Sequence, residues 1–203
     1  MIMEQEIFFK ELVPGLLIAF ALHRGYYVST HSKPEEITLM KRKEGLPSKV
    51  AGVLGMIGFL AVVVYVIQPS RIAFANLQIP TMLRWTGVGL AIIGFALLQW
   101  AQVTLGKSWS DTPRMMNEQT LVTSGPYRIV RHPIYSAFLA ILGSLLLISS
   151  NWLIGLCWIG MASLEILSRI QYEETLMTEY FGKQYQDYMK KTGRLWPRLT
   201  QSL

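Results

Sequence analysis

The sequence holds a single cysteine in 203 residues, Cys157. One thiol excludes a disulfide framework and a cysteine-based zinc cluster. Its setting inside a long apolar run makes it a small core filler, and no metal ligand set is expected. Charge is scarce too: Asp, Glu, Lys and Arg make up 16% of the chain, against roughly 25% in average soluble domains. No glycine-rich strand-to-helix nucleotide loop occurs. Zinc-finger spacing and interleaved aromatic and basic platforms are also missing, so a nucleic-acid partner is not expected.

What is present is apolar sequence in long uncharged runs. A helix needs about 20 mostly apolar residues to cross the hydrocarbon core. Spans are predicted at about 12–27, 50–67, 85–105, 133–148 and 151–169. His23 and Arg24 interrupt the end of the first, and Ser149-Ser150-Asn151 breaks the long run 134–164 into a helical hairpin. The expected fold is therefore all-α: one polytopic membrane domain of about five transmembrane helices, with a C-terminal hairpin and an amphipathic tail helix. The acidic start Met1–Glu11 is not expected to be a cleavable signal peptide. Gly87, Gly89 and Gly94 within the third run suit close helix packing.

Basic residues divide unevenly. Segments 24–49, 106–133 and 169–203 hold 16 of the 19 Lys and Arg, leaving Lys10, Arg71 and Arg84 for the other side. Cytoplasmic loops carry such an excess. The N-terminus is therefore expected outside and the C-terminus in the cytoplasm, and the net charge of +6 reads as topology.

Two stretches carry chemistry. In the loop before the hairpin, Gly125-Pro126 forces a turn, and Pro133 holds His132 extended before opening the fourth span. Arg131 and His132 then stand at the mouth of that helix, with Tyr135 just inside the membrane surface. An interfacial anchor belt of aromatic and basic residues is the plain alternative. After the hairpin, Glu165, Arg169 and Glu173 are four apart and share one helix face, flanked by Tyr172 and Glu174. A salt-bridge ladder along that face would need no ligand. The tail, Tyr180-Phe181-Gly182 through Tyr185 and Tyr188 to Arg194-Leu195-Trp196-Pro197, reads as a short helix packing its aromatic stripe on the bundle.

The order Gly125-Pro126-Tyr127-x-x-x-Arg131-His132-Pro133-x-Tyr135, then Arg169-x-x-x-Glu173-Glu174, Phe181-Gly182-x-x-Tyr185-x-x-Tyr188 and Arg194-Leu195-x-Pro197, resembles the isoprenylcysteine carboxyl methyltransferases and related membrane methyltransferases. The resemblance covers 106–198 and looks like the compact prokaryotic branch. It implies S-adenosylmethionine bound on the cytoplasmic side by regions 106–135 and 169–198. The cofactor-binding residues it implies are Gln119, Leu121, Val122, Gly125, Tyr127, His132, Tyr135, Glu173 and Glu174, with Arg169 orienting the methyl acceptor. Gln99 and Gln102 stand on the span where eukaryotic members carry charged residues. The implied partners are the bilayer and a lipophilic or prenylated acceptor, with the oligomeric state open. Two other readings stay open: a nicotinamide-dependent reductase related to sterol reductases, which share an Arg-His-Pro-x-Tyr element, and a non-enzymatic carrier or assembly factor.

Overall fold

The computed structural model describes residues 2–31, 45–106 and 120–198. Gln119 lies outside them, as do the basic residues of 32–44 and 107–119. Among the described residues the chain is all-helical, with two isolated β-bridges and no longer strand pairing. The helices are α1 (Ile2–His31), α2 (Leu46–Ile67), α3 (Thr81–Leu105), α4 (Pro133–Ser149), α5 (Trp152–Phe181) and α6 (Lys183–Lys191).

Three of these, α2, α3 and α5, are long and apolar enough to cross a membrane, and α4 is a shorter apolar helix of 17 residues. Large side chains such as Met56, Phe59, Ile92, Ile93, Val103 and Leu156 stand exposed on them. So much exposed apolar surface would drive a water-soluble protein to aggregate; facing lipid, it is satisfied. This is an integral membrane protein.

The helices overrun the expected spans. α1 begins ten residues before position 12, because its polar first turns find partners: Glu6 pairs with Arg84 at 2.6 Å, and Phe8 and Phe9 each pack on Trp85 with ring centres 5.3 Å apart. With its charges, α1 is not among the helices apolar enough to span by composition alone. α5 continues twelve residues past Arg169, and its second half carries most of its charge.

Glycine sets the closest contact. A Cβ on Gly87 would stand 2.8 Å from Leu147, and one on Gly94 2.7 Å from Ile141, so α3 and α4 meet nearly backbone to backbone. Gly89, expected to do the same, meets nothing within 4 Å and has no packing role. Cys157 is buried against Gly58 of α2, as a filler would be.

The hairpin turns through Ser150, the described non-glycine residue with positive φ (51°), and Asn151 caps α5 by accepting from the Ile154 N–H at 3.2 Å. Asn151 Nδ2 also donates to the Ile72 carbonyl and to Asn76 in the loop joining α2 to α3. Arg84, 3% exposed, donates through Nε and Nη2 to the Ile148 carbonyl at 3.1 and 2.9 Å, closing the last turn of α4. A cavity of about 400 Å³ lined by Glu6, Lys10, Tyr65, Arg84 and Ser149 lies at this end of the bundle. The chemistry-bearing residues lie at the other.

Candidate active site

Gly125 opens the loop with φ 56°, and a Cβ there would stand 2.8 Å from Thr104 Oγ1 and 3.3 Å from Trp100 Nε1 at the end of α3. Both facts require glycine. The turn Gly125–Arg128 buries Tyr127, and Ile129 after it is still helical; His132, the N-cap of α4 with Pro133 in its first turn, has φ −125° and ψ 62°, outside the helical region but short of the extended conformation expected.

The segment from Val130 to His132 does not hang free, because the tail pairs with it. Arg131 N–H donates to the Gly193 carbonyl at 2.8 Å, His132 N–H to the Arg194 carbonyl at 3.1 Å, and Ser136 Oγ to the Leu195 carbonyl at 2.6 Å. The Tyr188 hydroxyl donates to the Tyr127 carbonyl at 2.6 Å. Tyr185 and Tyr188 of α6 are buried, while Tyr180 and Phe181 belong to the end of α5, so the expected aromatic stripe is split between two helices.

Against this loop stands the charged half of α5. Glu174 receives Arg131 Nε at 3.0 Å, Arg194 Nε at 3.2 Å and a second bond from Arg194 Nη2, and lies 3.4 Å from His132 Nε2. Burial by itself would raise its carboxyl, but His132, Arg194 and Arg131 together hold it down at about 2. His132 Nδ1 lies 3.4 Å from Glu173, so the imidazole is bracketed by two carboxylates. Burial favours its neutral form; the bonds to Glu173 and Glu174 outweigh that and raise its pKa above the ordinary 6.5. The Tyr135 hydroxyl donates to Glu173, and its ring stacks on His132 with centres 5.6 Å apart.

The expected Glu165–Arg169–Glu173 ladder is half present. Arg169 lies 3.6 Å from Glu165, while Glu173 turns to Tyr135 and His132 instead. Arg169 also reaches the Tyr135 hydroxyl, which joins it to the cluster. The side chains of Arg131 and His132 are about 90% buried and face acids, which an anchor belt spread along an interface would not do. Leu121 and Val122 are half-buried in the segment leading to the turn and show no side-chain polar role.

Two buried polar atoms beside the loop have no partner among the described residues: the Tyr127 hydroxyl and Gln102 Oε1. Burial raises the Tyr127 phenol far above its usual range, so it stays a neutral donor. Arg131 and Arg194 are site residues that sequence reasoning left out. Both stand in the short motifs, but spacing alone does not say which carboxylate a guanidinium will meet.

Comparison with known proteins shows what the stretch carrying this cluster is similar to. Residues 87–179 match the profile of the isoprenylcysteine carboxyl methyltransferase (ICMT) family. A probable protein-S-isoprenylcysteine O-methyltransferase of Oryza sativa subsp. indica is 30% identical over 124 residues, 60% of this chain and 65% of that protein. A methanethiol S-methyltransferase of Pseudomonas deceptionensis is 31% identical over 133 residues, 64% of this chain and 48% of the relative. The chain thus spans less than two thirds of these relatives' length. Among solved structures, the eukaryotic intramembrane Ras methyltransferase ICMT shares the fold, with a TM-score of 0.56 at 23% identity, over 77% of this chain and 54% of that one. The stretch similar to the isoprenylcysteine carboxyl methyltransferase family, residues 87–179, is the one that holds the loop, the hairpin and the double glutamate.

Proposed function

We propose that the protein transfers a methyl group from S-adenosylmethionine to a lipophilic acceptor at the cytoplasmic face of the membrane. The carrying observation is the buried His132, held between Glu173 and Glu174 beside the unpartnered Tyr127 hydroxyl. Neighbouring ion pairs satisfy Glu174, but the Tyr127 donor and Gln102 acceptor are left for a ligand, and an unmade buried bond is costly.

The residues fit the donor. When bound, it supplies an activated methyl on a cationic sulfonium. Glu173, whose side chain is 22% exposed, can still accept from an ammonium through the lone pairs that Tyr135 and His132 leave free. Tyr127 and Tyr135 offer ring faces to a cation, and His132 offers a hydrogen bond. Glu174 was expected to bind the donor directly. Enclosed by Arg131, His132 and Arg194, it holds the wall of the pocket instead. The tail staple excludes water, which strengthens each of these contacts.

Arg169 orients the acceptor. A carboxylate is already ionised at neutral pH, so it needs a cationic clamp and in-line placement and no general base. The prenylcysteine carboxylate fits that chemistry, as the names of the plant relatives suggest. We place five helices across the bilayer, α1 to α5, as one domain with the N-terminus outside. The loop, the second half of α5 and α6 then lie on the cytoplasmic side, where the basic residues gather.

The test is thermal stabilisation of the detergent-purified protein. A ligand that binds only the folded state raises its melting temperature. S-adenosylhomocysteine is expected to raise it and NADPH to leave it unchanged; the reverse would make the protein a reductase. Labelled methyl donor incubated with membrane extract then identifies the acceptor.

A further inference from the structure

α1 lies outside the segment that matches the family, yet its inner end carries polar groups in an apolar setting. His23 Nε2 lies 3.0 Å from Gln99 Oε1 of α3, and Gln99 Nε2 donates to the Tyr27 hydroxyl at 3.1 Å. The His23 ring also stacks on Tyr27, with centres 5.1 Å apart.

This order of donors sets the tautomer. Gln99 gives its N–H to Tyr27, so its carbonyl oxygen faces the imidazole, and a carbonyl can only accept. His23 Nε2 therefore carries the proton, and in the neutral ring Nδ1 presents a lone pair. That Nδ1 atom is buried and has no partner among the described residues. A buried acceptor without a hydrogen bond is costly even on a half-buried side chain such as His23, and an ionisable residue within a membrane bundle marks a functional site by default.

The His23 cluster adjoins the proposed site. The Arg24 guanidinium carbon lies 5.8 Å from the centre of the Phe138 ring, and Phe20 meets Phe138 edge to face at 5.0 Å. Phe138 in turn lies 6.4 Å from the Tyr135 ring, whose hydroxyl binds Glu173. A head group bonded to His23 would lay its apolar atoms on Phe20, Phe95 and Phe138, one ring away from Tyr135.

We propose that His23, positioned by Gln99 and Tyr27, accepts a hydrogen bond from an N–H or O–H on the head group of the methyl acceptor. The acceptor is then an amphiphile with an amide or hydroxyl donor close to the methylated atom, and α1 discriminates among such molecules. The inference rests on the methyltransferase reading and extends it to the choice of substrate.

The test compares two probes with the full-length protein in detergent. One is N-acetyl-S-farnesylcysteine; the other replaces its amide N–H with an ester oxygen and keeps the thioether, chain and carboxylate. Wild type is expected to favour the amide in kcat/KM by about tenfold, the effect of one hydrogen bond. His23→Phe, which keeps the aromatic stack, should bring the ratio to about one, and Gln99→Leu should lower it in part. S-adenosylhomocysteine should still stabilise both variants, which shows that they fold. A ratio unchanged in His23→Phe overturns the proposal, and so does a wild type that fails to distinguish the probes or uses neither. If S-adenosylhomocysteine leaves even wild type unshifted, the methyltransferase reading itself falls, and that result is separate from the probe ratio.

Discussion

Arg131 Nε lies 3.0 Å from a carboxylate oxygen of Glu174, and the two residues stand 43 positions apart with a membrane hairpin between them. The contact binds the loop before α4 to the far end of α5. Arg194, from the tail, reaches the same carboxylate, so three separate segments converge on one acid.

Glu174 and its neighbour Glu173 are therefore expected to behave differently. Glu174→Gln removes the countercharge of two guanidiniums and an imidazole, and breaking a buried pair costs about 3–5 kcal/mol. Glu173→Gln should lower the melting temperature far less, yet weaken stabilisation by S-adenosylhomocysteine. Melting curves of both variants with and without the ligand check this; equal destabilisation would show that both acids are structural.

Stability should depend on pH from two sides. Glu174 is held at about 2, below the 4.5 of an ordinary glutamate, so its contribution is full above 4.5 and fades as pH falls toward 2. His132 is raised above 6.5, so its contribution is full below 6.5 and is lost as pH rises through the folded value. The cluster should then be most stable between about 4.5 and 6.5. In a melting-temperature profile, His132→Asn should flatten the alkaline fall and leave the acid limb; an unchanged alkaline limb would remove His132 from the linkage.

Gly125→Ala puts a Cβ where φ is 56° and Thr104 Oγ1 stands at 2.8 Å. The strain should cost about 1–3 kcal/mol, and displacing Tyr127 should weaken binding of S-adenosylhomocysteine. Calorimetric titration beside a melting curve separates the two effects, and unchanged affinity would mean that the turn does not shape the pocket.

Under the proposed assignment, Arg169 holds the acceptor and not the donor. Arg169→Ala should reduce methyl transfer by about tenfold or more, the loss of one charged hydrogen bond. S-adenosylhomocysteine should bind nearly as before. Undiminished turnover on an identified acceptor would take Arg169 out of the mechanism.

The hairpin was legible because Ser149-Ser150-Asn151 interrupts a run too long for one span, and the turn falls there. The start of α4 at Pro133 was legible because proline suits the first turn of a helix, while the backbone of His132 ahead of it fell short of the extended form expected. The full length of α1 was not, because Glu6 and Lys10 look like the end of an apolar span. Only the pairing of Glu6 with a buried Arg84 shows why the helix continues. Nor could spacing separate Gly94, pressed on Ile141, from Gly89, which faces open space: the two are five residues apart on one helix and point to different sides.

Local chemistry and hydrophobic periodicity, which act over one or two helical turns, are written in the order of residues; they determined an all-helical membrane chain and the motifs at one end of it. Which acid Arg131 and Arg194 would share, and that Glu173 would meet Tyr135 and His132, depended on segments far apart in sequence being brought side by side. A carboxylate bonds whichever donors packing delivers to it, and only the tertiary structure decides which those are.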